Sequence, residues 1–134
     1  MGCGQPLAAS THAHKILVVE DTTDTRDSLV LLLRAEGFEA DGAANGLEAL
    51  RQLRRGYEAC LILLDLWMPV MDGWTFRFEQ RRDPTLADIP VVVLTATVNP
   101  EDEALRVGAV AGMQKPLDVS ALLELVSAHC PRSA

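Results

Sequence analysis

From Lys15 onward, short apolar runs alternate with stretches whose apolar residues recur every three or four positions, the signatures of strand and helix. Residues 16–19 predict a buried strand. Thr23 or Asp24 then caps a helix whose Leu29, Leu32 and Leu33 share one face until Gly37 stops it. Residues 38–41 predict a short edge strand, and Asn45-Gly46 precedes a helix with Leu47, Leu50 and Leu53 on one side. Residues 59–64 are apolar at every position, as a strand covered on both faces must be, so this strand belongs in mid-sheet. Pro69 and Asp72-Gly73 mark a turn, a third helix runs from about Gly73 to Arg82, and residues 89–94 form another β-branched strand. Asn99 and Pro100 open a fourth helix, with Glu101 and Asp102 in the first turn where the helix dipole favours negative charge, and Gly108 ends it. A weak strand follows at residues 111–114. Asp118 caps a last helix with Leu122, Leu123 and Val126 facing inward.

Five strands alternating with five helices predict an α/β fold, a doubly wound five-stranded parallel sheet with right-handed crossovers. Residues 15–130 form this one domain, between a flexible tail at 1–14 and a short one at 131–134. Twelve Lys and Arg against nineteen Asp and Glu give a net charge of −7. Phosphate backbones and anionic lipid are repelled by such a surface unless a local basic patch intervenes, and the sequence shows none, so neither nucleic acid nor membrane is an expected partner. The longest apolar run, residues 59–64, is far shorter than the ~20 residues a bilayer crossing needs. Cys3, Cys60 and Cys130 are odd in number and scattered, which predicts free thiols in a reducing, cytoplasmic setting. Residues 1–14 lack the apolar stretch of a secretory signal. Met1-Gly2-Cys3 hints at acylation, but Pro6 stands where the myristoylation pattern needs Ser or Thr.

Ligands of doubly wound sheets lie outside the carboxyl ends of the strands. Here those ends carry Glu20-Asp21, Asp65, Thr95 and Lys115. Three carboxylates within ~5 Å repel by roughly 3 kcal/mol per pair at an effective dielectric of about 20, so a cation must accompany them. Lys115 and a hard divalent ion such as Mg2+ both qualify, and together they balance the three acids in formal charge. If Asp65 attacks a phosphoryl donor, its single charge becomes about −2 and calls for more donors. The Thr95 hydroxyl and backbone N–H groups after Asp65 can supply them.

The segments Ile16-Leu-Val-Val-Glu-Asp21, Leu64-Asp-Leu-Trp-Met-Pro-Val-Met-Asp-Gly73, Val93-Leu-Thr-Ala96 and Lys115-Pro116 strongly resemble the response-regulator receiver domain of two-component signalling. The resemblance runs from Lys15 to about Ala128 and implies a flavodoxin-like sheet ordered 2-1-3-4-5. It further implies that Asp65 is the phosphoacceptor, that Asp21 binds Mg2+ directly, and that Glu20 does so directly or through water. Trp67 would lend its backbone carbonyl to the metal. Thr95 resembles the hydroxyl residue that closes on the phosphoryl group, Lys115 its cationic partner, and Lys115-Pro116 the family's cis peptide. The implied partners are a sensor histidine kinase or histidine phosphotransfer protein as donor and an unknown downstream protein, since no output domain follows in the sequence.

Two positions depart from the family pattern. Gly112 stands where an inward-turning aromatic usually couples to the threonine, which removes the side chain for that coupling. Trp67 is bulky at the mouth of the site and predicts a long-lived phosphoform by obstructing water.

Other readings fit less well. An aspartate-nucleophile phosphatase needs a second acid where Trp67 stands. A flavin site could use Thr22, Thr23 and Thr25, but Glu20, Asp21, Asp24 and Asp27 would repel the flavin phosphate, and no glycine lets amides approach. A receiver-shaped interaction module indifferent to phosphate draws support from Gly112. His12, His14 and His129 have no expected ligand role. Trp74, Phe76 and Phe78 read as packing and surface residues, because the acidic charge argues against a stacking platform. The sequence therefore predicts a stand-alone receiver that accepts a phosphoryl group on Asp65 with Mg2+ and signals through protein contact.

Overall fold

The computed structural model describes residues 15–131. The expected tails, Cys3, His12, His14 and the acylation pattern lie outside these residues, Pro131 excepted.

Five parallel strands, β1 (Lys15–Val19), β2 (Glu39–Ala43), β3 (Ala59–Asp65), β4 (Val91–Thr95) and β5 (Ala111–Gln114), form one sheet ordered β2-β1-β3-β4-β5. Between and after them run α1 (Thr23–Ala35), α2 (Gly46–Arg54), α3 (Gly73–Arg82), α4 (Pro100–Val107) and α5 (Val119–His129). The fold is the expected flavodoxin-like one. β3 is buried along its whole length in mid-sheet, as its unbroken apolar run required.

Alternate residues of the central strands feed two cores. Leu17, Val19, Ile62, Leu64, Val91 and Val93 pack toward α2 and α3 around Phe76. Ile16, Val18, Leu61, Leu63, Val92 and Leu94 meet Leu29, Leu33, Leu122 and Val126 of α1 and α5. Burying large aliphatic side chains contributes about 1.5–3 kcal/mol each, and these layers are what fixes strand order and register.

Several local expectations shift. β2 sits at 39–43, since Asp41 and Gly42 have little strand preference of their own and the strand is set by pairing with β1, Lys15 opposite Glu39 through Val19 opposite Ala43. β4 begins after Pro90, which has no N–H to give to a ladder but whose carbonyl accepts from the Ile62 N–H at 3.0 Å. Thr22, one residue before the expected caps, precedes α1, and neither it nor Asn99 before α4 makes a side-chain cap bond. Asn45, Asp72 and Asp118 do cap their helices, accepting from Glu48, Thr75 and Ala121 amides at 2.9, 2.8 and 3.1 Å.

The cysteine reading is corrected. Cys60, the second residue of β3, is disulfide-bonded to Cys130 at the end of α5, their Cα atoms 5.6 Å apart. A separation of 70 residues hid the pair, because only the docking of α5 across the sheet brings the two together. The pairing removes the support that free thiols gave to a reducing compartment.

The absence of a basic patch is corrected as well: Arg77, Arg81 and Arg82 of α3 and Arg106 of α4 converge on one cleft. Isolated arginines at helical spacing do not read as a cluster until two helices are laid side by side. Among the described residues, no helix is long and apolar enough to cross a membrane.

Candidate functional site

The strand register carries the site. Val19 pairs with Leu64, so Glu20 leaves β1 beside Asp65, the last residue of β3. Asp65 pairs with Leu94, and Thr95 with Gln114, which brings Thr95 and then Lys115 to the same edge. Carboxylate oxygens of Glu20, Asp21 and Asp65 lie within 4.8 Å of one another. Glu20, Asp65 and Thr95 are buried, and Asp21 is exposed at the mouth.

The Lys115 ammonium reaches into this cluster, 2.6 Å from Glu20 Oε1 and 3.4 Å from Asp65 Oδ2. Its backbone N–H donates to the Thr95 carbonyl at 2.7 Å, and the Lys115-Pro116 peptide is cis, as expected. Glu20 Oε2 accepts from the Thr22 N–H at 3.1 Å, and Asp65 Oδ1 accepts from the Trp67 N–H at 3.1 Å. The Glu20 carbonyl accepts from Arg26 Nη1 at 2.9 Å, which fixes the start of the β1–α1 loop. The Thr95 hydroxyl accepts from the Thr97 N–H at 3.3 Å.

These surroundings pull the two buried acids apart. Burial raises the Glu20 pKa, but hydrogen bonds from Lys115 and the Thr22 amide outweigh it and hold that carboxyl below its ordinary value. Asp65 goes the other way, pushed up to about 6 by burial against the help of the Trp67 amide, with the Glu20 charge adding to the rise. For Lys115, burial favours the neutral amine, but the hydrogen bond to Glu20 and the charges of both carboxylates raise its pKa. Three acids against one ammonium leave a formal deficit of two positive charges, which an oxygen-seeking divalent cation would fill.

The loop after β3 is tightly held. The Gly73 N–H donates to the Leu66 carbonyl at 2.9 Å, and the Gly46 N–H to the Met71 carbonyl at 3.1 Å. A side chain at Gly73 would bring its Cβ within 2.7 Å of Leu66 Cα, so only glycine lets α3 start this close to Asp65. Val70 takes φ 68, a left-handed conformation costing a β-branched residue about 1–3 kcal/mol, which the sequence pattern did not reveal. Trp67, whose N–H holds Asp65, is itself 61 % exposed.

Gly112 lies under the start of α4, where an added Cβ would fall on the Pro100 carbonyl, 2.6 Å from its carbon. No aromatic residue fits there unless α4 moves. Buried Gln80 was missed by sequence reading: its amide donates to the Leu86 and Ile89 carbonyls at 2.9 and 3.0 Å and accepts from Arg77 at 2.9 Å. Its role is to pin the α3–β4 loop, and a lone Gln in a polar helix gives no sign of that.

Comparison with known proteins agrees with this geometry. Residues 16–127 match the response regulator receiver domain, and the chain belongs to that family. It is 36% identical over 122 residues to the CpxR homolog of Haemophilus influenzae, a transcriptional regulatory protein, matching 90% of this chain but 52% of the regulator. Over 117 residues it is 39% identical to a 14.6 kDa protein of the sodA1 3′ region of Leptolyngbya boryana, covering 86% of this chain and 88% of that one. The chain thus spans about half the length of some relatives and most of another. Among solved structures, the receiver domain of the sensor histidine kinase PA1611 of Pseudomonas aeruginosa superposes with a TM-score of 0.78 at 27% identity, covering 87% of this chain and 97% of that one. That receiver carries a magnesium ion coordinated in its active-site cleft.

Proposed function

We propose that this receiver accepts a phosphoryl group on Asp65 from a phosphohistidine donor, a sensor histidine kinase or histidine phosphotransfer protein, in a Mg2+-dependent step. The observation that carries this reading is the cluster of Glu20, Asp21 and Asp65 with Lys115 between two of the acids. Glu20, Asp21, Asp65 and the Trp67 carbonyl are the groups to hold the metal. When bound, Mg2+ supplies the missing positive charge and neutralises the incoming phosphoryl oxygens.

The chain's own residues do the rest. An Asp65 oxygen forms the new P–O bond as the donor's P–N bond breaks, the electron pair remaining on the imidazole nitrogen. The Trp67 N–H, already on Asp65 Oδ1, orients the carboxylate. Lys115 holds its ammonium ready for the transferred oxygens, and the Thr95 hydroxyl, buried at the next strand end, is the further donor. Glu20, held below its ordinary pKa by hydrogen bonds from Lys115 and the Thr22 amide, keeps its negative charge available to a cation.

The readout passes through α4, which begins five residues beyond Thr95 and rests on Gly112 by backbone contact. A phosphate-indifferent interaction module remains the second reading, favoured by Gly112 alone. The reading is tested by incubating the protein with a phosphorylated phosphotransfer protein, with Mg2+ and with chelator. Transfer with Mg2+ and none with chelator is expected; equal transfer in both, or none in either, overturns it.

A further inference from the structure

α3 and α4 lie side by side over a cleft of about 370 Å³, remote in character from the acid pocket. Val107, Trp74 and Phe78 line it, Phe78 being 60 % exposed. Arginines ring it, and no acidic side chain lines it.

These arginines are not equivalent. Arg77 spends its guanidinium on the Val107 and Gly108 carbonyls at 2.8 and 2.7 Å and on Gln80 at 2.9 Å, so it ties α3 to the end of α4. Arg82 pairs with Glu79 at 3.3 Å and lies 5.4 Å from the centre of the Phe78 ring. Arg81 and Arg106 are exposed and make no hydrogen bond or ion pair among the described residues. Burial and the nearby Arg81 charge both lower the Arg77 pKa, a sign that like charges are crowded here.

The charge can be counted. Four arginines bring +4, Glu79 −1, and the two helix ends about −0.5 each, leaving about +2 on a protein whose net charge is −7. Cations at helix ends account for some of these arginines, but two would suffice for that. A phosphomonoester carries about −1.5 to −2 at neutral pH, which matches the excess. The Phe78 ring, which Arg82 covers on one side, and the Trp74 indole add a surface on which a flat ring can stack. The volume falls at the small end of the ~300–1,000 Å³ of ligand pockets. An extended polyanion would run beyond the cleft over a protein of net charge −7, whereas a small ligand stays within a Debye length of about 8 Å of the arginines.

We propose that this cleft binds a small aromatic phosphomonoester, of which a purine nucleoside monophosphate is the simplest, with its ring against Phe78 and Trp74 and its phosphate on Arg81 and Arg106. Binding is independent of the proposed phosphoacceptor, although α4 links the two places.

Calorimetric titration with adenosine monophosphate, in chelator so that the acid pocket holds no metal, tests the proposal. Saturable binding at one site is expected, at least tenfold tighter than inorganic phosphate or adenosine. Arg81→Ala and Arg106→Ala should each weaken it about tenfold or more, because hydrogen bonds to charged groups are involved and neither arginine makes a hydrogen bond or ion pair among the described residues. Phe78→Ala should cost a similar factor, and Asp65→Asn should change nothing, which separates failure here from failure of the phosphoacceptor reading. No saturable binding, affinity equal to inorganic phosphate, or wild-type affinity in the Arg81→Ala/Arg106→Ala double variant overturns it. So does a glutamate-rich peptide that binds where adenosine monophosphate does not.

Discussion

At the amino ends of the strands, Lys15 lies 5.4 Å from the centre of the Tyr57 ring, the Tyr57 hydroxyl donates to the Ile16 carbonyl at 3.1 Å, and Cys60 is bonded to Cys130. At the carboxyl ends, three carboxylates share a pocket with one ammonium. The first end satisfies its polar groups and ties elements together. The second leaves Asp65 with a raised pKa and a charge deficit. The same sheet therefore has one end whose polar groups are paired and one that gathers unbalanced charge, and altering the two ends should produce opposite outcomes.

The largest effect belongs to the tied end. The disulfide closes a loop with a sequence separation of 70 residues, for which chain entropy gives about 4 kcal/mol. Cys60→Ser/Cys130→Ser should lose about that much in chemical denaturation while its phosphoryl-transfer rate stays within about twofold of wild type. A large loss of transfer would show that the ends are not separable.

At the other end, Lys115→Met should reduce transfer by roughly 10²–10³-fold, the cost of removing one oriented donor, with the fold retained. Wild-type transfer in this variant would remove Lys115 from the chemistry.

Asp65→Asn should invert the stability result. With its pKa at about 6, above that of an unfolded carboxylate near 4, Asp65 holds more proton in the folded state between these values. In chelator, its contribution to stability therefore falls as pH rises from about 4 to about 6. The variant should be more stable than wild type at neutral pH, by on the order of 2 kcal/mol, with the advantage gone below about pH 4. Denaturation at both pH values checks this, and a variant less stable at neutral pH contradicts it.

The smallest effect concerns the mouth. Trp67→Asn should shorten the phosphoryl lifetime severalfold if the exposed indole hinders water. An unchanged dephosphorylation rate would leave that ring as surface only.

The sequence made these two ends unequally legible. At the carboxyl end, Glu20, Asp65 and Thr95 directly follow or end strands recognisable by their apolar runs, and Lys115 follows the weak strand at 111–114, so all four could be found by looking where the strands stop. β3 was legible for the same reason: burial on both faces leaves no alternation. The tied end was not legible, because a Cys at the start of β3 and another at the end of α5 meet only through helix docking. The arginine cleft was hidden likewise, since Arg106 joins Arg77 and Arg81 across a helix pair that the residue pattern of neither helix reveals. β2 was misplaced because pairing with β1, rather than its own Glu-Ala-Asp-Gly-Ala composition, decides its limits.

The central claim, that the carboxyl-end pocket captures phosphorus on Asp65, is tested most directly by intact mass spectrometry after incubation with a small phosphodonor and Mg2+. One added phosphoryl group on wild type and none on Asp65→Asn is the predicted result. Equal incorporation in the two proteins, or none in wild type, would contradict it.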